Sequence, residues 1–156
     1  MDFYLAMHPS FKTDFGILPT SDQSFLRGAI DLIFESEGLY YLADWKSNHL
    51  RPDYGWQHLN LEMTKERYIL QAEIYTLAFL SFAESALPNF DLAKQFGGVL
   101  YLFLRGMRGE PGTGVFHLYP AGLKPHEIEA LRSRVLKQMQ GLDPARQANG
   151  TEPRLK

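Results

Sequence analysis

The sequence predicts an α/β fold in which a mixed central sheet is flanked by helices. Three observations lead to this prediction. Two β-rich runs, Gly28–Phe34 and Leu39–Trp45, are close neighbours in the chain. A long helical pattern follows from Leu59 to Ser85, and Phe96–Leu104 then forms a nearly continuous apolar run of strand length. Because extended and helical patterns alternate, we expect the strands to share one sheet with helices packed on it.

The composition is that of one soluble globular domain. The chain has 156 residues, of which 45% are hydrophobic and 22% charged, and no cysteine. We expect a single domain over residues 1–140 and a flexible tail over 141–156, where apolar side chains are few. The chain has neither a run of ~20 apolar residues nor a signal peptide, so we expect no membrane contact and a cytoplasmic location. The net charge of −2 leaves room for a local basic groove only.

The first half of the chain is predicted to contain a short strand and a hairpin. Phe3–Met7 reads as the strand, and Pro9 to Pro19 as an irregular connection. The hairpin consists of the two β-rich runs, and Glu35-Ser36-Glu37-Gly38 is its predicted turn.

The second half is predicted to contain two helices and two strands. Pro88 ends the helix that begins near Leu59. Phe96–Leu104 is the predicted central strand, and the glycine-rich loop 105–114 leads to a strand at Val115–Tyr119. Pro125 opens an amphipathic helix that reaches Gln140, with one apolar face made of Ile128, Leu131, Val135 and Met139.

Two carboxylates are predicted to meet on the hairpin. Asp44 and Lys46 are two apart on a strand, so they project from one face about 6–7 Å apart. If Glu37-Gly38 is a two-residue turn, Asp31 lies opposite Asp44, with Cβ atoms about 4.5–5.5 Å apart. Carboxylates this close repel one another unless a cation lies between them, which indicates Mg²⁺, or Mn²⁺ in its place.

This arrangement has the parts that phosphodiester hydrolysis needs. The backbone carbonyl of Trp45 is a candidate third metal ligand, and Lys46 can orient or deprotonate a water and neutralise a phosphate. Gln71 and Tyr75 are four apart and therefore share a helical face. For an isolated Asp-x-Lys pattern, an exposed pair at a strand end remains the alternative.

The residues around this pattern resemble a known family. Four blocks occur in order: Gly28-Ala29-Ile30-Asp31-Leu32; Tyr41–Asn48; Arg67-Tyr68 with Gln71 and Tyr75; and Phe96-Gly97-Gly98-Val99 through Phe103-Leu104-Arg105-Gly106. In order and spacing they resemble the C-terminal nuclease domain of RecB-type proteins, over roughly Asp2 to Gly141. That domain belongs to the PD-(D/E)xK superfamily, so the resemblance implies a restriction-endonuclease-like fold.

The resemblance also implies roles for the residues. Asp31 and Asp44 would ligate Mg²⁺, Lys46 would be the catalytic lysine, and Gln71 and Tyr75 would form the family's helical motif beside the DNA. The implied activity is that of an exodeoxyribonuclease V-type DNA nuclease. The implied partners are DNA, RecC and RecD-like subunits and a RecA-type recombinase. Since no Walker-type phosphate loop occurs here, the helicase domains would lie elsewhere in the same parent polypeptide.

One family ligand has no counterpart in this sequence. RecB-type nucleases carry a further metal-binding histidine on a helix before the segment that matches, so we expect this chain to be truncated at its N-terminus. His8 resembles that histidine only in residue type. Two other patterns are rivals: His58 and Glu62 could chelate a metal on a helix, whereas His126-Glu127 lacks the second histidine of a zinc protease.

Several basic residues are candidates for contacts with DNA phosphates, although the sequence does not say which of them share a groove. Arg67 and Arg105 are the predicted DNA contacts, and further candidates for phosphate contacts are His49, Arg51, Lys65 and Arg108. Two functions remain open from sequence. The first is a Mg²⁺-dependent DNA nuclease; the second is a module that keeps the nuclease fold but only docks a recombinase or partner subunits.

Overall fold

The computed structural model describes residues 1–7, 24–108, 113–120 and 122–141. His8 and the predicted tail beyond Gly141 lie outside this part. The described part contains six strands, four α-helices and one 3₁₀ turn. In chain order they are β1 Asp2–Met7, β2 Ser24–Ala29, β3 Leu32–Ser36, β4 Leu39–Lys46, α1 Trp56–Lys65, α2 Tyr68–Ala86, α3 Leu92–Gln95, β5 Phe96–Phe103, the 3₁₀ turn Leu104–Gly106, β6 Val115–Leu118 and α4 Pro125–Gly141.

The strands form two sheets. β3, β4, β5 and β6 lie side by side in that order; β4 and β5 are parallel, and the other neighbours are antiparallel. The parallel pair is joined by a crossover that contains α1, α2 and α3. β1 and β2 form a separate antiparallel ribbon. The predicted fold class, a mixed sheet flanked by helices, is therefore confirmed, although the separate ribbon was not predicted.

The hairpin has the predicted register. Glu37 and Gly38 form the turn with φ of 53° and 79°, the left-handed values that a two-residue hairpin loop requires. Leu32 pairs with Ala43 and Ser36 with Leu39. Continued by one residue, this register would set Asp31 against Asp44, but Asp31 lies before the first residue of β3. The turn itself is shorter than predicted, because Glu35 and Ser36 belong to β3.

The predicted strand Gly28–Phe34 is wrong as a single element. β2 ends at Ala29 in the ribbon, and β3 begins at Leu32 in the main sheet. Between them, the backbone of Ile30 exchanges hydrogen bonds with Met1, and the Ile30 side chain is buried in the core. The chain thus leaves one sheet and enters the other at Ile30 and Asp31. Asp31 lies on this bend and not within a strand.

The predicted single helix from Leu59 to Ser85 is also wrong. The N–H groups of Glu66 and Arg67 close α1 on the carbonyls of Glu62 and Thr64. Arg67 then adopts a left-handed conformation with φ of 58°, which interrupts a right-handed helix. A new helix, α2, starts at the following residue, Tyr68. The break separates two helices that periodicity alone would join.

Helix α2 contributes more residues to the core than any other element. Phe79 is fully buried, and its ring lies about 6 Å from the rings of Tyr40, Phe90 and Phe96. On the far side α4 packs against α2, where Arg134 donates a 2.8 Å hydrogen bond to the buried Glu73. Within the described ranges, no helix is both long and apolar enough to span a bilayer.

The other side of the main sheet, here called the outer face, is apolar and partly uncovered. Asp44 points toward α2, so the next residue, Trp45, points away from it. Trp45 pairs with Leu102, and Leu102 with Val115, so the three side chains form one row across the sheet. Trp45 is 45% exposed and Val115 is 39% exposed.

Candidate active site

The C-terminal end of β4 places a buried carboxylate beside a lysine. Asp44 is only 3% exposed. The Lys46 Nζ lies 2.7 Å from the Asp44 Oδ2, and the two side chains share the sheet face toward α2. The ammonium therefore compensates a charge that burial alone would disfavour.

Helix α2 completes a closed ring of four side chains. Lys46 Nζ donates to Gln71 Oε1 at 3.0 Å, and Gln71 Nε2 donates to the Tyr75 hydroxyl at 2.9 Å. The Tyr75 hydroxyl in turn donates to Asp44 Oδ1 at 3.2 Å. The structure thus brings together four of the five predicted catalytic residues, which we call the Asp-Lys-Gln-Tyr ring.

The fifth residue, Asp31, lies beside this ring. Its Oδ2 accepts a 3.0 Å hydrogen bond from the backbone N–H of Trp45, the neighbour of Asp44. Burial raises the pKa of the Tyr75 hydroxyl well above its ordinary value, and the charges of Asp44 and Asp31 raise it further. Tyr75 therefore keeps its proton and can donate it to Asp44.

The aromatic rings of two tyrosines lie against Lys46, and neither of them was predicted from the sequence to have a role in the site. The Lys46 Nζ lies 3.9 Å from the ring centroid of Tyr68 and 5.2 Å from that of Tyr101, and these two rings are stacked. The Tyr101 hydroxyl is within hydrogen-bond distance of Gln71 Oε1 and of the Tyr68 carbonyl. No sequence signal pointed to Tyr101, because its position beside Asp44 depends on the parallel pairing of β4 and β5, which is a property of the fold.

The two predicted DNA contacts are placed differently. Arg105 follows β5, and its Nε donates to the carbonyl of Ser47, the residue after Lys46. Arg67 is exposed at the break between α1 and α2. Among the described residues, no hydrogen bond or ion pair joins the Arg67 side chain to the Asp-Lys-Gln-Tyr ring.

The rival metal pair on α1 has other partners. His58 Nδ1 lies 2.8 Å from Asp53 Oδ1, and Glu62 accepts a 2.7 Å hydrogen bond from Asn48. The backbone N–H of Gly55 and then His58 hold the pKa of the exposed Asp53 below its usual value. These contacts fix the loop before α1. They do not support the hypothesis that His58 and Glu62 bind a metal together.

The donor set at the end of β4 consists of hard oxygen atoms. No group of three His, Cys, Asp or Glu side chains is placed to hold a metal within the described ranges. Asp31 and Asp44 offer two carboxylates, and the Asp31 Oδ1 makes no hydrogen bond within these ranges. Mg²⁺ is commonly held by one or two carboxylates, with waters and substrate phosphates as its other ligands. The residues present therefore fit this cation.

Comparisons with known proteins agree with the resemblance seen in the sequence blocks. No family model matches the chain. The chain is 42% identical to RecBCD enzyme subunit RecB of Haemophilus influenzae over 138 residues, which is 78% of this chain. It is 43% identical to RecB of Escherichia coli over 65% of its length, and 38% identical to RecB of Mycobacterium tuberculosis over 65%.

These matches cover only one segment of each relative. The aligned part is 11%, 9% and 10% of the three RecB chains, respectively. The predicted resemblance to RecB is nevertheless confirmed by all three. This chain is a homologue of one segment of RecB, about a tenth of its length.

Proposed function

We propose that this chain is the nuclease module of a RecBCD-type helicase-nuclease that acts in DNA repair and recombination, and that it hydrolyses DNA phosphodiesters with Mg²⁺. The observation that carries the proposal is the Asp-Lys-Gln-Tyr ring with Asp31 beside it. A lysine paired with a buried carboxylate, a second carboxylate bonded to the next residue of the strand, and a fixed amide form a constellation suited to phosphate chemistry.

In this proposal the two carboxylates hold the cation. Asp31 and Asp44 are its side-chain ligands, and the Trp45 carbonyl is the third protein ligand. The chemistry that Mg²⁺ supplies there is stabilisation of negative charge on the scissile phosphate and on the attacking water. Mn²⁺ has similar ligand preferences and would substitute for it.

Lys46 is the residue that meets the substrate. An ammonium group has three N–H donors, and two of them are directed at Asp44 and Gln71. The third N–H makes no hydrogen bond within the described residues and would donate to a phosphate oxygen or to the attacking water. Because Lys46 is already held on three sides by Asp44, Gln71 and the Tyr68 ring, little rearrangement is needed when substrate binds.

Gln71 and Tyr75 act as positioning residues in this proposal. The Gln71 amide is fixed at both ends, since its oxygen accepts from Lys46 and its nitrogen donates to Tyr75. Tyr75 then fixes one oxygen of Asp44. Through these bonds, α2 fixes the positions of Asp44, which would bind the metal, and Lys46, which would contact the phosphate.

The proposed partners follow from the same assignment. The relatives' printed name makes RecB a subunit of the RecBCD enzyme, so we propose RecC and RecD-like subunits as partners of the parent protein, and DNA as its substrate.

The test is metal-dependent cleavage. We expect the chain to degrade end-labelled linear single-stranded DNA in Mg²⁺ or Mn²⁺, and to stop when a chelator is added. Mn²⁺ binding, followed by electron paramagnetic resonance of the free ion, gives a readout that does not depend on cleavage. Absence of both Mn²⁺ binding and DNA cleavage, also when the chain is joined to the upstream helix that carries the family's further histidine, would contradict the proposal and favour the docking alternative.

Replacement of Tyr68 tests whether its aromatic face, and not only its size, stabilises the Lys46 ammonium. We expect Tyr68→Leu to lower the cleavage rate about tenfold, because it removes the aromatic face 3.9 Å from the ammonium. Tyr68→Phe keeps that face and loses only the hydroxyl bond to Asn48, so its rate should stay within about twofold of wild type. Equal cleavage rates for the two variants would show that the aromatic face of Tyr68 does not stabilise Lys46.

A further inference from the structure

A cleft of about 650 Å³ lies beside the candidate active site. One wall is the loop between β4 and α1, and the other is the segment that follows β5. The side chains that matter for its chemistry are His49, Arg51, Asp53, Tyr54, Arg105 and Arg108. We call it the arginine cleft.

The two walls are tied together by Tyr54. The Tyr54 hydroxyl donates to the Asn48 carbonyl and accepts from the N–H of Leu50, which fixes the first wall. The Tyr54 carbonyl accepts a 3.1 Å hydrogen bond from Gly114, and the Tyr54 ring fills the space where a Gly106 side chain would be. The cleft is thus a built feature of the fold and not a gap between independent loops.

The arginine cleft is strongly cationic. Arg51, Arg105 and Arg108 are all exposed, and none of them pairs with a carboxylate of the described residues. The one described acidic residue in the lining, Asp53, is already bonded to Gly55 N–H and His58. Three guanidinium groups therefore face a space that offers little negative charge of its own.

The cleft opens next to the proposed reaction centre. Arg105 Nε donates to the Ser47 carbonyl at 2.9 Å, and Ser47 directly follows Lys46. Consecutive Cα atoms are about 3.8 Å apart, so Arg105 contacts the backbone one residue beyond the lysine. A nucleic-acid strand with its scissile phosphate at Lys46 would place a neighbouring phosphate near Arg105.

We propose that the arginine cleft binds a backbone phosphate of the DNA strand that is cleaved, and that this phosphate is a neighbour of the scissile one. This inference rests on the proposed nuclease function and specifies how that site holds its substrate. Guanidinium forks match phosphate oxygens in paired hydrogen bonds, and a backbone phosphate is the same at every nucleotide. Binding in the cleft is therefore independent of base sequence, and it fixes the position of the strand relative to Lys46.

The test is DNA affinity measured without cleavage. An end-labelled oligodeoxythymidine is titrated with the chain in a chelator, and fluorescence anisotropy is followed at several salt concentrations. We expect Arg105→Gln and Arg51→Gln each to weaken binding about tenfold, and to reduce the slope of log affinity against log salt by about one. Lys137→Gln on α4 removes a positive charge outside the cleft and should change neither quantity.

A second pair of measurements separates charge from geometry and DNA from small anions. Arg105→Lys keeps the charge but loses the fork, so its affinity should lie between those of wild type and Arg105→Gln. Unchanged affinity and salt slope in the arginine variants would overturn the proposal. Inorganic phosphate that binds the cleft, seen as Arg105-dependent thermal stabilisation, would also overturn it if the DNA affinity of the same variants is unaltered.

The outcomes also distinguish this proposal from the nuclease proposal. If the arginine variants lose DNA affinity but wild type does not cleave DNA, the cleft stands and the nuclease function fails. If wild type cleaves DNA, and the arginine variants cleave and bind it equally well, the cleft proposal is contradicted and the nuclease proposal stands.

Discussion

Asp44→Asn is expected to lower the rate of metal-dependent DNA cleavage by about 100-fold or more and to weaken Mn²⁺ binding, while the chain stays folded. Asparagine has nearly the same shape as aspartate, so the Tyr75 hydroxyl can still donate to its oxygen, while its NH₂ group replaces the oxygen that accepts from Lys46 and the lysine has to turn away. The variant loses one of the two negative charges proposed to hold the cation. It also removes the charge that pairs with the Lys46 ammonium at 2.7 Å. Cleavage kinetics and Mn²⁺ titration on the same preparation measure both effects.

Asp91→Asn is the matched control for Asp44→Asn. Asp91 caps the start of α3, where its side chain accepts from the N–H of Ala93. Asparagine caps helices as well as aspartate does, so this change should alter neither stability nor cleavage. If Asp44→Asn cleaves DNA as fast as the control, Asp44 is not a metal ligand and the proposed centre is wrong.

Phe79→Ala is expected to lower the free energy of unfolding by about 3–5 kcal/mol. Phe79 is fully buried on α2, in contact distance of aromatic rings from β4, β5 and the loop after α2. The substitution removes apolar burial and leaves a cavity that these rings cannot close without moving. Urea denaturation followed by fluorescence measures the change.

Phe82→Ala is the control for the core substitution. Phe82 lies one turn further along the same helix but is 43% exposed. Its removal should change the free energy of unfolding by less than about 1 kcal/mol, since surface changes of this kind have small effects. An equal decrease in the free energy of unfolding for the two variants would show that Phe79 does not pack α2 against the sheet.

The hairpin and its chemistry could be predicted from sequence because the relevant information is local. A two-residue turn at Glu37 and Gly38 determines every cross-strand partner of β3 and β4. Alternation along β4 then places Asp44 and Lys46 on one face, and helical spacing places Gln71 and Tyr75 on another. The sequence did not show that the two faces meet; that contact depends on the packing of α2 against β4.

Other features depend on contacts between distant parts of the chain. The residues before Asp31 belong to a separate ribbon because they pair with the first residues of the chain, up to the bonds between Ile30 and Met1, and the local sequence pattern does not reveal that distant pairing. The left-handed Arg67 interrupts a run whose apolar spacing continues on both sides. Likewise, several basic residues were candidates for phosphate contacts, but only the fold brings Arg51, Arg105 and Arg108 to one cleft.

Part of the apolar outer face does not contribute to the stability of the isolated chain. The exposed part of the row Trp45, Leu102 and Val115 still meets water, so it contributes nothing to the folding of the chain in isolation. Any surface that covers it would add about 25 cal/mol for each Å² of apolar area removed from water. A melting temperature measured on the isolated chain is therefore a lower limit for the same chain with its outer face covered.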